Sequence, residues 1–260
     1  MNSNINKFPT PYPDVNEVLL TLLDNVRTIL GDYFTGMYLY GSLASGDFDP
    51  RRSDIDFLVV TSKELPGDIV AELKSMHTRL YKSGMEWSTK LEGSYVPRNV
   101  LRRYSANGPA WPMTNKDKFV VAHENVVWLI NSYVLYTSGV VIAGPSLRSI
   151  IDPVHPEELK DAVLTLLRDV WTPWQRNADL FHIDEYQSYV ILTMCRALYT
   201  IKHGTVNSKR RSAEWAIANL DKKWTYLINE AIAWHSGDPP GDIGQTQEFM
   251  RYIFREAGLQ

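Results

Sequence analysis

Two acids one residue apart, Asp54 and Asp56, stand at the head of the apolar run Phe57-Leu58-Val59-Val60 and constrain this chain more than any other feature. A run of that composition reads as a strand, and on a strand residues i and i+2 project to the same face. Two carboxylates brought within about 4 Å repel by about 4 kcal/mol at an effective dielectric of 20. A fold that keeps them together is one in which a cation sits between them. Upstream, a hydrophobic run ends in Gly41-Ser42, and a short polar loop joins it to Ser53-Asp54-Ile55-Asp56. Glycine has no side chain, so the backbone at Gly41 and the Ser42 hydroxyl can approach a phosphate closely. An Asp-x-Asp alone on a strand edge is ordinarily solvated charge. Joined to Gly-Ser at a strand end, it points to magnesium-dependent nucleotide chemistry.

The remaining composition excludes more than it selects. A net charge of −3 and a pI near 6.1 give no electrostatic footprint for duplex nucleic acid. The single cysteine, Cys195, rules out an intramolecular disulfide and a cysteine-rich zinc site, and its apolar helical setting reads as core filler. The six histidines show no paired metal spacing, and no serine sits in a Gly-x-Ser-x-Gly elbow. The first residues carry no charged segment followed by an apolar run, and no apolar stretch reaches the roughly 20 residues that span a bilayer. The expectation is a soluble cytoplasmic protein with no membrane partner.

Periodicity divides the chain in two. Asp14 to Leu30 reads as an amphipathic helix, Phe34 to Tyr40 and Phe57 to Thr61 as strands, Gly67 to Leu80 as a helix and Trp87 to Val96 as a third strand. Pro97 to Asp117, rich in Pro, Asn and Arg, reads as an irregular loop. A helix over Glu124 to Ser138 and a short strand over Val140 to Ala143 follow. Beyond Asp152-Pro156 the strand signals cease, and Leu159–Trp171, Asp184–His203, Ser212–Leu220, Trp224–Ser236 and Gln245–Ala257 carry helical spacing.

Tyr40-Gly41-Ser42 with Ser53-Asp54-Ile55-Asp56 resembles the nucleotide and metal motif of the polymerase-β-like nucleotidyltransferase superfamily. Three later segments, in order, resemble the bacterial aminoglycoside nucleotidyltransferases of the streptomycin/spectinomycin adenylyltransferase type. They are Gly144-Pro145 with Asp152-Pro153-Val154, then Val190 to Arg196, then Gly204 to Lys209 with Ala213 to Ile217. The resemblance implies an α/β nucleotidyltransferase domain, a mixed sheet with helices, over residues 1–153. An all-α helical domain would follow over 154–260. It implies Mg²⁺ as cofactor, ATP as co-substrate, and transfer of AMP to a hydroxyl of a cationic antibiotic lying between the domains.

The same resemblance distributes roles. Asp54 and Asp56 hold the metal, and Gly41, Ser42, Ser53, Arg196 and Lys209 contact the nucleotide. Glu92 matches the third catalytic carboxylate of the metal site. Chemistry supports that role separately, because a glutamate on a strand beside the Asp pair can take the proton of an attacking hydroxyl. On the acceptor side Trp171 matches the family's tryptophan. Arg176 stands where the acid downstream of it is expected, which leaves Asp179 or Asp184-Glu185 to supply that charge; Trp171 and Trp174 flank Pro173 in an interhelical turn as candidate walls. Two rival readings stay open at the level of sequence. One is a nucleotidyltransferase acting on another hydroxyl, whether of a small molecule, a protein or a tRNA end. The other is a catalytically silent nucleotide-binding or partner-binding module.

Overall fold

The structure, a computed structural model, describes residues 9–173, 186–235, 238 and 242–259. The described chain separates into two compact units. Residues 9–48, 53–125 and 134–153 make up the first; residues 49–52, 126–133 and the described residues from 154 onward make up the second.

The first unit is a six-stranded mixed sheet with helices. Helix α1 (Pro13–Leu30) starts with Pro13 in its first turn and Asp14 beside the helix N-terminus, has Arg27 in its last turn, and stops at Gly31 in a positive-φ conformation. Val15, Val18, Leu19, Leu22, Leu23, Val26 and Leu30 recur at helical spacing and are all buried. The strands are β1 (Phe34–Leu39), β2 (Ile55–Thr61), β3 (Leu91–Pro97), β4 (Trp111–Asn115), β5 (Lys118–Ala122) and β6 (Val140–Ala143). Their order is β5-β4-β3-β2-β1-β6; β2 and β3 are parallel and the other pairs antiparallel. Between β1 and β2 lies the short helix α2 (Gly41–Ser45), and α3 (Gly67–Tyr81) supplies the crossover that a parallel pair requires.

Alternation along the strands decides what each face does. Met37, Leu39, Ile55, Phe57, Val59, Leu91 and Tyr95 belong to one buried cluster with the apolar faces of α1 and α3. Period two then sends Asp54 and Asp56 to the opposite face. Behind the acids, His77 of α3 meets the Tyr95 hydroxyl at 2.7 Å and stacks on Phe57, with centroids 6.0 Å apart.

One expectation is corrected here. Residues 97–117 are irregular only over 103–110: they also hold α4 (Arg98–Arg102) and β4, which closes a hairpin with β5. Asn115 pairs with Lys118, so the turn is Lys116-Asp117, and Lys116 takes φ 57. A tight hairpin turn needs that left-handed residue and ordinarily announces it with Gly or Asn. Pro112 pairs with Val121 of β5, beyond the stretch of β4 aligned with β3, where a missing N–H costs little. Other boundaries move by a few residues, most usefully at β2, which begins at Ile55 and so places Asp56 within the strand.

The second unit is helical. It contains α6 (Pro156–Leu166), which runs into a π-helical turn at Leu167–Trp171, and α7 (Tyr186–His203), α8 (Lys209–Asn219), α9 (Thr225–Ala233) and α10 (Ile243–Glu256). Helix α5 (Val127–Ser138) begins among the second unit's residues and ends among the first's. The core gathers Leu167, Val190, Met194, Leu198, Trp224, Ile228, Phe249 and Phe254. Cys195 is fully buried among them and its thiol is pushed up to about 12 by that burial, which fits core filler. No described helix is long and apolar enough to cross a membrane.

The buried histidine makes the first unit sensitive to acid. Burial pushes His77 down to about 4, whereas the unfolded chain binds that proton from about pH 6.5. Stability from keeping His77 neutral is therefore complete above pH 6.5 and is lost as pH falls toward 4. The loss is about 3 kcal/mol at 1.36 kcal/mol per unit. Urea unfolding across this range should show His77→Phe flattening the pH dependence of wild type by that order; parallel curves would contradict it.

Candidate active site

The site grows from the heads of two parallel strands. In the β2–β3 register Ile55 lies beside Leu91 and Asp56 beside Glu92. The two carboxylates therefore leave adjacent strands side by side, and Asp54, two residues before Asp56, shares the same face. Ser53 immediately precedes Asp54 in the partly buried approach to β2. Antiparallel pairing of β4 with β3 places Asn115 beside Glu92 on the other side.

Gly41 closes the site against Asp56. It takes φ +66, and a Cβ built on it would collide with the Asp56 carboxylate, Oδ2 first. The Tyr40 amide donates to the Asp56 carbonyl at 3.2 Å, tying the end of β1 to β2. Ser42 follows on the first turn of α2, with its carbonyl accepting from the Asp47 amide at 3.0 Å. Residues 43–45 of the segment after Gly41-Ser42 complete a turn of helix, α2, ended by Gly46 in the left-handed region, and the expected loop runs from there to β2.

Charge is concentrated here. Burial, and after it the nearby Asp56, Glu92 and Glu124 carboxylates, raise the Tyr40 hydroxyl well above its ordinary range. Glu124, just beyond β5, is itself raised by burial, although its carboxylate accepts a hydrogen bond from the Asn125 backbone that works the other way. The sequence gives no signal for Glu124, because its nearness to Tyr40 comes from tertiary folding and not from spacing. Asp54 is met by Lys90, whose Nζ lies 3.7 Å from Oδ1. That Oδ1 is buried and has no hydrogen-bond partner.

These features suit a magnesium ion. An orphaned buried carboxylate oxygen is a ligand in need of a cation, and Gly41 leaves the Asp56 carboxylate room that any side chain would fill. No group of three His, Cys, Asp or Glu side chains among the described residues is arranged to hold a metal by itself. Mg²⁺ does not require one, since it is ordinarily bound through one or two carboxylates plus substrate phosphates and water.

The other candidate residues belong to the second unit. Arg196 lies on α7, seven residues after Tyr189 and so on the same helix face. Lys209 is the first residue of α8, whose N-terminus is capped by Ser208 accepting from the Arg211 amide at 3.2 Å. The Lys209 ammonium stands 4.0 Å from the Tyr189 ring centroid, and Trp171 lies 6.1 Å beyond in the same ring cluster. Trp171 is only 9% exposed and packs in the helical core. Trp174, Asp179, Asp184 and Glu185, expected on the acceptor side, lie outside the described residues.

Comparison with known proteins agrees with both halves. Residues 22–102 match the family model of the nucleotidyltransferase domain, and residues 149–256 match that of the aminoglycoside adenylyltransferase C-terminal domain. An aminoglycoside (3'') (9) adenylyltransferase of Escherichia coli is 24% identical, over 92% of this chain and 94% of that protein. A spectinomycin 9-adenylyltransferase of Campylobacter jejuni is 23% identical, over 88% and 85%. A solved spectinomycin adenyltransferase from Enterococcus faecialis, with ATP and spectinomycin, superimposes with a TM-score of 0.71 at 16% identity. It covers 93% of this chain and 98% of its own, and so shares the fold.

Gly41→Ala tests the close approach directly. The new methyl strains a positive-φ residue and drives into Asp56, so unfolding free energy should fall by about 1–3 kcal/mol. Gly46→Ala, also at positive φ but with open space around it, should cost only the conformational part, about 1 kcal/mol. Equal losses at the two positions would remove the steric argument.

Proposed function

We propose, since this chain is a nucleotidyltransferase carrying the C-terminal domain of the aminoglycoside adenylyltransferases, that it moves AMP from ATP to a hydroxyl of an aminoglycoside-type antibiotic and releases pyrophosphate. The observation that carries the reading is the acidic head of β2 and β3, with Asp56 beside Glu92 and Gly41 pressed against Asp56. The proteins that match over most of this chain's length are named for such transfers to spectinomycin and aminoglycosides.

In the proposed mechanism Asp54 and Asp56 would hold the magnesium ion. When bound, the ion supplies charge neutralisation for the phosphoryl oxygens. Gly41 offers its backbone, and Ser42 and Ser53 their hydroxyls, to the phosphates. Arg196 and Lys209 contribute charge-assisted hydrogen bonds to the same groups. Glu92 accepts the proton of the acceptor hydroxyl as its oxygen bonds to the α-phosphorus and the bond to pyrophosphate breaks. Residues 1–153 carry this chemistry and residues 154–260 the remaining nucleotide and acceptor contacts, with Trp171, Trp174, Asp179, Asp184 and Glu185 on the acceptor side.

Asp56→Asn and Asp54→Asn should each abolish pyrophosphate release from ATP plus antibiotic while leaving circular dichroism unchanged. Turnover surviving in either variant ends the two-carboxylate mechanism. Glu92→Gln should lower the chemical rate about 100-fold or more with little change in ATP affinity. A collapse of ATP affinity with normal turnover at saturation would instead make Glu92 a positioning group.

Spectinomycin is the preferred acceptor in this reading. Streptomycin carries guanidinium groups that ask for a carboxylate, and Arg176 occupies the nearer position after Trp171. Expression in a susceptible bacterium should raise the inhibitory concentration of spectinomycin more than that of streptomycin. If neither rises while the purified protein still binds ATP with magnesium, the acceptor is a different hydroxyl.

A further inference from the structure

Lys90 stands where a spectator is hard to justify. It closes the short 3₁₀ turn Ser88–Lys90, its amide donating to the Trp87 carbonyl at 2.9 Å, and immediately precedes β3. Since Leu91 lies beside Ile55 in the parallel register, the next step back sets Lys90 opposite Asp54, as Glu92 is opposite Asp56. The head of the two strands is therefore a rectangle of three carboxylates and one ammonium. Without Lys90 the strand heads would carry three like charges.

The contact itself is incomplete. Lys90 Nζ lies 3.7 Å from Asp54 Oδ1, close enough for Coulombic attraction but beyond hydrogen-bond reach. Asp54 Oδ1 is buried and makes no hydrogen bond, while the side chains as wholes are 36% and 27% exposed. An ordinary surface ion pair leaves its oxygens to water. This one shields an oxygen from water without satisfying it. A small dication binds such an oxygen at about 2.0–2.1 Å, and would then sit within a few ångströms of the ammonium, where two positive charges repel. Lysine, a point charge on a four-carbon stem, can swing aside.

We propose that Lys90 is the built-in counter-cation of the Asp54–Asp56 pair and competes with the divalent ion for Asp54, so that it sets how tightly the metal site binds. The inference rests on the metal role given to those two acids above. Lys90 stabilises the strand heads when the ion has left and weakens the ion's hold when it arrives. The competition confines tight metal binding to the state in which nucleotide phosphates supply the remaining ligands and receive the displaced ammonium.

Mn²⁺ titration of the full chain without nucleotide, followed by the loss of the free-ion electron paramagnetic resonance signal, reads this directly. Lys90→Met should bind Mn²⁺ about tenfold tighter than wild type, the scale of one charge acting across a partly solvated site. Lys90→Arg, which keeps the charge, should stay within about twofold. With chelator, Lys90→Met should melt below wild type, and added Mn²⁺ should close the gap. Both differences should shrink in high salt. Equal or weaker binding by Lys90→Met, with native circular dichroism, overturns the proposal while leaving the two-carboxylate site intact. No binding by wild type or variant overturns the metal site and this inference together. Should Lys90→Met fail to fold, Lys90→Gln carries the same comparison.

Discussion

Parallel pairing of β2 with β3 is the contact on which the rest of the first unit depends. It brings Asp56 beside Glu92 and, one step back, Asp54 opposite Lys90. Like charges on neighbouring strands oppose such a pairing, so the register must be held from elsewhere. The opposite face does this: Ile55, Phe57 and Val59 of β2 and Leu91 and Tyr95 of β3 are buried against α1 and α3. A slip of one residue would turn that whole apolar set toward the acids' face. Burial on one side of the sheet thereby fixes charge on the other.

The same logic explains why the site is made of backbone as much as side chains. Gly41 must be glycine both for its φ of +66 and for the Asp56 carboxylate beside it. The Tyr40 amide then joins β1 to the carbonyl of the residue whose side chain it overhangs. A carboxylate fixed by strand register on one side and a glycine turn on the other would lose little freedom on taking up a ligand.

What the sequence makes legible follows from what is local. Asp54 and Asp56 could be read because a period of two needs only neighbouring residues, and the faces of α1, α3 and the later helices because a period of 3.6 does likewise. The partnership of Glu92 with Asp56 is non-local, and only resemblance suggested it. Residues 97–117 were misread because Pro112 demotes a strand and Lys116 stands where Gly or Asn ordinarily marks a hairpin turn. Glu124 and Lys90 carry no signal for a further reason: each meets its neighbour only through folding, Tyr40 in one case and Asp54 in the other. The packing of Trp171 beside Tyr189 in the helical core is likewise set by folding and not by spacing.

That contrast separates the parts of the reaction. The chemistry proposed for the strand heads depends on strand periodicity and one glycine, features that a sheet cannot shift without losing its core. The recognition proposed for the helical unit rests on side chains whose helix would tolerate other residues. Tyr189 is an example: its exposed ring supports the Lys209 ammonium at 4.0 Å, yet α7 owes its own stability to Val190, Met194 and Leu198 on the buried face. Substituting such a position changes what supports Lys209 and leaves the helix standing. Identity of about a quarter with the aminoglycoside and spectinomycin enzymes is compatible with a shared fold, because exposed helix positions accept substitution at little cost to the core. Acceptor preference is consequently the property least bound to the fold, because it asks nothing of the register that holds the carboxylates together.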